Sequence, residues 1–212
     1  MTGAARAPAE LESFSAAALE ADFDHDLVHV VDLDLSGQRA DGGAFERCRL
    51  ARVDLGESRL RRIAMRDVDL ETVYASNGDW TGARLRGVTV RDCRLTGLDL
   101  GGAELRDVIF ENCQLGWASF RFTDADEVVF RDCTLNEADF QGAKIRRSRF
   151  TGCRLLDVDF TSVELADVDL RGSALRPARG HLHLRGATID TAQLVELAPE
   201  LAHELGILVD DT

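Results

Sequence analysis

The chain has no run of eighteen apolar residues, so a helix long enough to cross a membrane is not expected. Its first twenty residues lack a cationic start and a continuous apolar stretch, because Glu10, Glu12 and Glu20 interrupt them. No secretory signal peptide is therefore expected, and the chain reads as cytoplasmic. It also lacks a basic surplus: 38 acids against 25 lysines and arginines leave a net charge of −13. That argues against direct nucleic-acid binding, while permitting attraction to proteins that themselves bind nucleic acid. The cysteines number five, an odd count that points to reduced thiols rather than a disulfide framework. No glycine-rich phosphate loop, HExxH or GxSxG occurs, so the expectation is a protein that is not an enzyme and needs no cofactor. His25, His29, His181, His183 and His203 all lie towards the two ends. HLH at 181–183 could offer two imidazoles to a metal, but no third ligand is in view, and a solvated loop with no metal is expected.

What the sequence does have is a period of five. Every position divisible by five from Phe45 to Leu175 is apolar, twenty-seven in succession. Two residues before each lies a mostly small residue, such as Cys48, Val53, Ala83, Cys93, Ala103 and Ala143. The other three positions are largely Asp, Arg, Glu, Thr, Asn and Gly. Neither the 3.6-residue period of an amphipathic helix nor the two-residue period of a half-buried strand produces this pattern. A chain that turns a corner every five residues does, with two side chains per side pointing inward. Its backbone groups and apolar face find partners only if it winds into stacked coils. RDC, ENC, RDC and TGC, which carry Cys93, Cys113, Cys133 and Cys153, recur at twenty residues, giving four sides per coil.

EADFQ (137–141), GAKIR (142–146) and VDFTS (158–162) resemble the A-[D/N]-[L/F]-x-x signature of pentapeptide repeat proteins. The resemblance runs over about residues 42–176, with weaker echoes in ADF (21–23) and LRGATI (184–189). It implies an all-β fold, a right-handed quadrilateral parallel β-helix. No projecting loop interrupts 45–175, which is similar to the loop-free mycobacterial type within the quinolone-resistance group. The group's resemblance implies a DNA mimic that binds DNA gyrase or a related type II topoisomerase.

Three segments are expected: an acidic stretch over 1–41 with a short helix and an irregular first coil, the β-helix over 42–189, and a helical cap over 190–212. Phe23, Val28 and Leu33 repeat in a different register before SGQRADGG (36–43) breaks it, and RPARGH (176–181) shifts the register so that Leu184 and Ile189 become central. Asp190 or Thr191 can cap the terminal helix, with Gly206 at its end. Its Leu194, Leu197, Leu201 and Leu205, continued by Ile207, can cover the coil end or form a homodimer seam. The four stacked cysteines are expected to fill core, because a straight ladder cannot converge on a tetrahedral metal.

Two surfaces are candidates for a protein partner. Asp79, Asp99, Asp139 and Asp159 fall at multiples of twenty, with Ser119 in the gap, and form an acidic column. Trp117, Phe122 and Tyr74 occupy outward slots, Trp117 and Phe122 near one corner, with Tyr74 and Leu156 on the same side as Trp117; they can anchor a partner or pack at the coil corners. The regular body carries 23 acids and 20 basic residues, so most surplus acidity is terminal.

Overall fold

The computed structural model describes residues 11–14 and 18–210. They form a four-sided parallel β-solenoid of about 9 turns closed by one C-terminal helix. Strand partners lie twenty residues apart: Leu85 pairs with Leu105, Leu105 with Ala125, and Ala125 with Ile145. Two sides build continuous ladders; the other two are held mostly by single bridges such as Asp54 to Tyr74 and Asp99 to Ser119, until Arg154–Asp159 pairs with Ala174–Arg179 as a two-stranded sheet. No described helix is long and apolar enough to cross a membrane.

The corners explain the outward composition. Every position ending in 2 or 7 from Asp22 to Gly172 has positive φ, and the non-glycine residues there fall between 45° and 58°. The left-handed conformation costs about 1–2 kcal/mol for an L-residue with a Cβ, less for Asn or Asp. Hydrogen bonds to the next coil offset it, such as Arg62 N–H to the Thr81 carbonyl at 2.9 Å.

Inside, the central side chains stack. Phe110, Phe130 and Phe150 lie face to face at 4.9 and 4.5 Å, as do Phe120, Phe140 and Phe160 at 4.8 and 5.3 Å. The two stacks meet edge to face at 5.9 and 6.2 Å, a geometry the ring quadrupole favours.

All five cysteines are buried and free. The thiols of Cys93, Cys113, Cys133 and Cys153 donate to the carbonyls of Leu70, Val90, Phe110 and Phe130, each 23 residues back, at 3.4–3.8 Å. Ser173 continues the column, donating to Phe150 at 3.1 Å, and Gln193 Nε2 extends it to Leu170 at 2.7 Å. Burial pushes the Cys48 thiol above its ordinary pKa, the condition of an inert core sulfur.

The N-terminal expectation needs correction. The expected helix falls partly on residues outside those described; where the chain is described, Glu12–Ser13 is a strand parallel to Val28 and His29. The first coil is not irregular, nor does the repeat begin at 42. His25, Val30, Leu35 and Ala40 continue the central column, Val30, Leu35 and Ala40 being buried, and the positive-φ corners run unbroken from Asp22. Phe23 sits in the slot normally held by a small residue, and it fits because Gly43 lies above it. A Cβ on Gly43 would come within 2.1 Å of the Phe23 ring. SGQRADGG is thus not a break but the hollow that receives an oversized side chain.

At the other end the register shifts by one residue as expected: Val168 pairs with Ala187 and Asp169 with Thr188, an offset of nineteen. Leu184 and Ile189 pack half-buried against the core. The helix α1 spans Thr191–Glu204, capped by Asp190, whose side chain accepts from the Gln193 N–H while Gln193 Oε1 accepts from the Asp190 N–H. α1 turns Gln193 and Leu197 onto the coil end, both buried.

Candidate functional site

The solenoid brings the acidic column together as the spacing requires. Asp79, Asp99, Ser119, Asp139 and Asp159 are successive register partners on one side. Their carboxylates, however, are engaged. The N–H groups of Thr81, Gly101, Gln141 and Thr161, each two residues on, donate to Asp79, Asp99, Asp139 and Asp159 at 2.8–3.2 Å. This is an Asx turn repeated down the rod. Arg61 also bonds Asp79 at 2.6 Å, Arg121 bonds Asp139 at 2.8 Å, and Arg179 lies 3.5 Å from Asp159. Burial works to raise the Asp79 carboxyl, but bonds from Thr81 and Arg61 outweigh it and hold it below the usual range. Asp159 behaves likewise through Thr161 and Arg179. Asp99 has no ion pair among the described residues.

Trp117 and Phe122 stand at the two corners bounding this same side, at the level where Ser119 interrupts the carboxylates. Both have φ of 55° and are 61% and 65% exposed. Phe122 lies across the bare corner of Gly142, where a Cβ would approach the ring to 2.6 Å, and the Arg121 guanidinium sits 5.8 Å from its centroid. Tyr74 belongs to the neighbouring side, in register with Asp54 and Arg94, under the Arg94 guanidinium at 5.4 Å. Sequence spacing puts Trp117 and Phe122 near one corner; the structure instead gives each its own corner, the two framing the aspartate ladder.

The terminal leucines divide. Leu197 is buried against the coil end and Leu201 is half-buried, whereas Leu194, Leu205 and Ile207 are exposed. Val195, Leu208 and Val209 add to this outer apolar surface. Leu197 is therefore a cap residue in this chain. HLH does not converge either: His181 is buried with Nδ1 2.9 Å from Glu204 Oε1, while His183 is exposed. Among the described residues no group of His, Cys, Asp and Glu is arranged to hold a metal.

A four-sided parallel solenoid with its side chains spread over flat faces defines a repeat rod. The chain belongs to the pentapeptide repeat family, whose repeat region it matches over residues 76–140 and 103–179. No curated protein sequence matches it. Among solved structures it is similar to a trypsin-treated variant of QnrB1, a plasmid-mediated fluoroquinolone resistance protein, with a TM-score of 0.61 and 19% identity over 88% of this chain and 100% of that one. A second QnrB1 variant gives 0.59 and 20% over 93% and 96%. HetL, a pentapeptide repeat protein involved in heterocyst differentiation regulation in the cyanobacterium Nostoc sp., gives 0.50 and 20% over 72% and 74%.

Proposed function

We infer that this protein is a non-enzymatic, dimeric rod that binds a protein partner through the side bearing Asp79, Asp99, Asp139 and Asp159. Its partner is DNA gyrase or a related type II topoisomerase, which it modulates or protects from an inhibitor. The family resemblance to the fluoroquinolone-resistance rods supplies the choice of partner. One observation carries the choice of side: two large aromatics occupy left-handed corners there, exposed, where Gly, Asn or Asp would cost the fold least. An aromatic pair ringed by polar groups has the composition of an interface hot spot. The aspartate ladder contributes a straight row of carboxylates resembling a phosphate row, weakened as a DNA mimic by Arg61, Arg121 and Arg179. The exposed Leu194, Leu205 and Ile207 support a homodimer seam at the C-terminal end.

The test is a gyrase supercoiling assay with and without a fluoroquinolone, using the native chain, Trp117→Gly with Phe122→Gly, and a variant with all four aspartates changed to asparagine. Loss of effect in both variants supports one composite surface. No effect of the native chain at micromolar concentration overturns the topoisomerase as partner. The second reading is a scaffold for an unrelated partner. It rests on the same exposed aromatics, and a pull-down that Trp117→Gly abolishes and the asparagine variant retains would favour it.

A further inference from the structure

One outward column of the rod alternates in charge. Glu71, Arg91, Glu111 and Arg131 are successive register partners, and Arg131 bonds Glu111 at 2.8 Å. Another column stacks cations instead. Arg66 pairs in register with Arg86, and Arg86 with Arg106, the longest run of cations on the described rod. Arg84 projects from the same strand as Arg86, on the same side. Like charges directly opposite one another on neighbouring strands are destabilising, and the fold has no need of them here.

Their ion pairing is correspondingly thin. Arg84 and Arg86 have no carboxylate within ion-pair distance among the described residues, Arg66 approaches Glu46 only to 3.9 Å, and Arg106 is engaged by Asp124 at 3.2 Å. Ala44 and Ala64, small where neighbouring coils carry long side chains, leave a groove of about 580 Å³ walled by Arg66, Arg84, Arg86 and Arg106. Asp24, Glu46 and Glu104 also line it, Glu104 in register with Arg84, so the groove would not hold an extended polyanion; only a compact anion can meet Arg84 and Arg86 with Glu104 alongside.

We propose that this groove binds a small phosphate-bearing ligand, of the diphosphate class, through the guanidinium groups of Arg66, Arg84 and Arg86. Several guanidinium forks on a grid of about 4.8 Å offer more donors than one planar carboxylate accepts. A diphosphate presents oxygens in several directions and relieves the repulsion within the column.

The probe is sodium pyrophosphate on the full chain, followed by calorimetric titration and thermal unfolding, with sodium citrate and sodium chloride at matched ionic strength. Pyrophosphate should raise the Tm by several degrees where citrate and chloride do not. Arg84→Gln with Arg86→Gln should bind at least tenfold more weakly and lose the shift, while unfolding in chloride at an equal or higher temperature than the native chain. Arg154→Gln, on another side, should leave binding unchanged. The proposal is overturned by an equal effect of citrate or chloride, by retained binding in the double variant, or by a double variant that is destabilised or unfolded in chloride, since the arginines would then be structural.

Discussion

Replacing Gln193 by leucine keeps the bulk of a buried side chain and removes its polar atoms. Gln193 Nε2 donates at 2.7 Å to both the Leu170 and the Ser173 carbonyls, and its Oε1 accepts from the Asp190 N–H at 2.9 Å. Gln193 itself is 4% exposed, so in a place water does not easily reach the Ser173 carbonyl loses this donor and the Leu170 carbonyl keeps only the long bond from the Ser173 N–H at 3.4 Å. Each buried group left unpaired costs about 1–3 kcal/mol. The Asp190 N–H is nearer solvent, so the total should be about 3–4 kcal/mol, bounded by the free energy that docks α1 on the coil end. Urea unfolding should show a lower midpoint, and limited proteolysis should cut within 191–204 while the solenoid's β signal persists. An unchanged midpoint and an unchanged cleavage pattern would refute the claim that α1 docks by extending the column of Cys93, Cys113, Cys133, Cys153 and Ser173.

Trp117→Gly relieves about 1–2 kcal/mol of left-handed backbone cost and adds about 0.5–1 kcal/mol of glycine entropy; thermal unfolding should show equal or slightly higher stability, and a clear loss would mean the ring packs on the rod. Burial holds His25 below its ordinary pKa of 6.5, with Asp24 opposing in part. The fold thus favours the neutral imidazole: stability is full above about pH 6.5 and falls as pH drops from there through the lowered folded value. His25→Phe, packed among Phe14, Phe23 and Phe45, should flatten that slope in a series of urea midpoints; an unchanged slope would assign it elsewhere. Phe130→Ala, in the middle of both stacking and edge contacts, should cost about 3–5 kcal/mol, and a loss under 1 kcal/mol in urea unfolding would show the stacks to be loosely packed.

How much of this was legible depends on which atoms a position answers to. The central column from Phe45 to Leu175 reads directly, because a fixed backbone turn imposes one apolar choice every fifth residue. The first coil was hidden because His25 and Ala40 are poor signals of a core, whereas Phe23, in the small slot, looks like one. Its fit depends on Gly43 a coil away, and a missing Cβ leaves little trace in a hydrophobic pattern. The stacking of Asp79, Asp99, Asp139 and Asp159 follows from arithmetic alone. Their neutralisation does not, since Arg61 and Arg121 reach carboxylates eighteen residues on, and such contacts depend on side-chain rotamers. For Gln193 a signal was present: it stands twenty residues after Ser173 and forty after Cys153. It was obscured by the change to helical periodicity around it.

A fold this repetitive also changes what an unusual residue means. In most domains an arginine cluster or an exposed tryptophan can be excused by an irregular surrounding. Here each outward slot recurs in coil after coil with nearly the same backbone, so neighbouring coils act as internal controls for what the fold alone demands. By that standard the aspartates of the ladder are explained by their turns, because Asp34, Asp54 and Asp169 make the same bond two residues on at 2.8–3.1 Å. Trp117 and Phe122 are not explained in that way, since most other corners carry polar residues or glycine. Nor is the run of Arg66, Arg86 and Arg106, since the column at Glu71, Arg91, Glu111 and Arg131 shows the rod alternating charge where alternation is favourable. Departures that neighbouring coils do not explain are the positions to test for binding, since folding alone does not require them. Substituting them should therefore separate the two properties: binding lost, stability kept or raised.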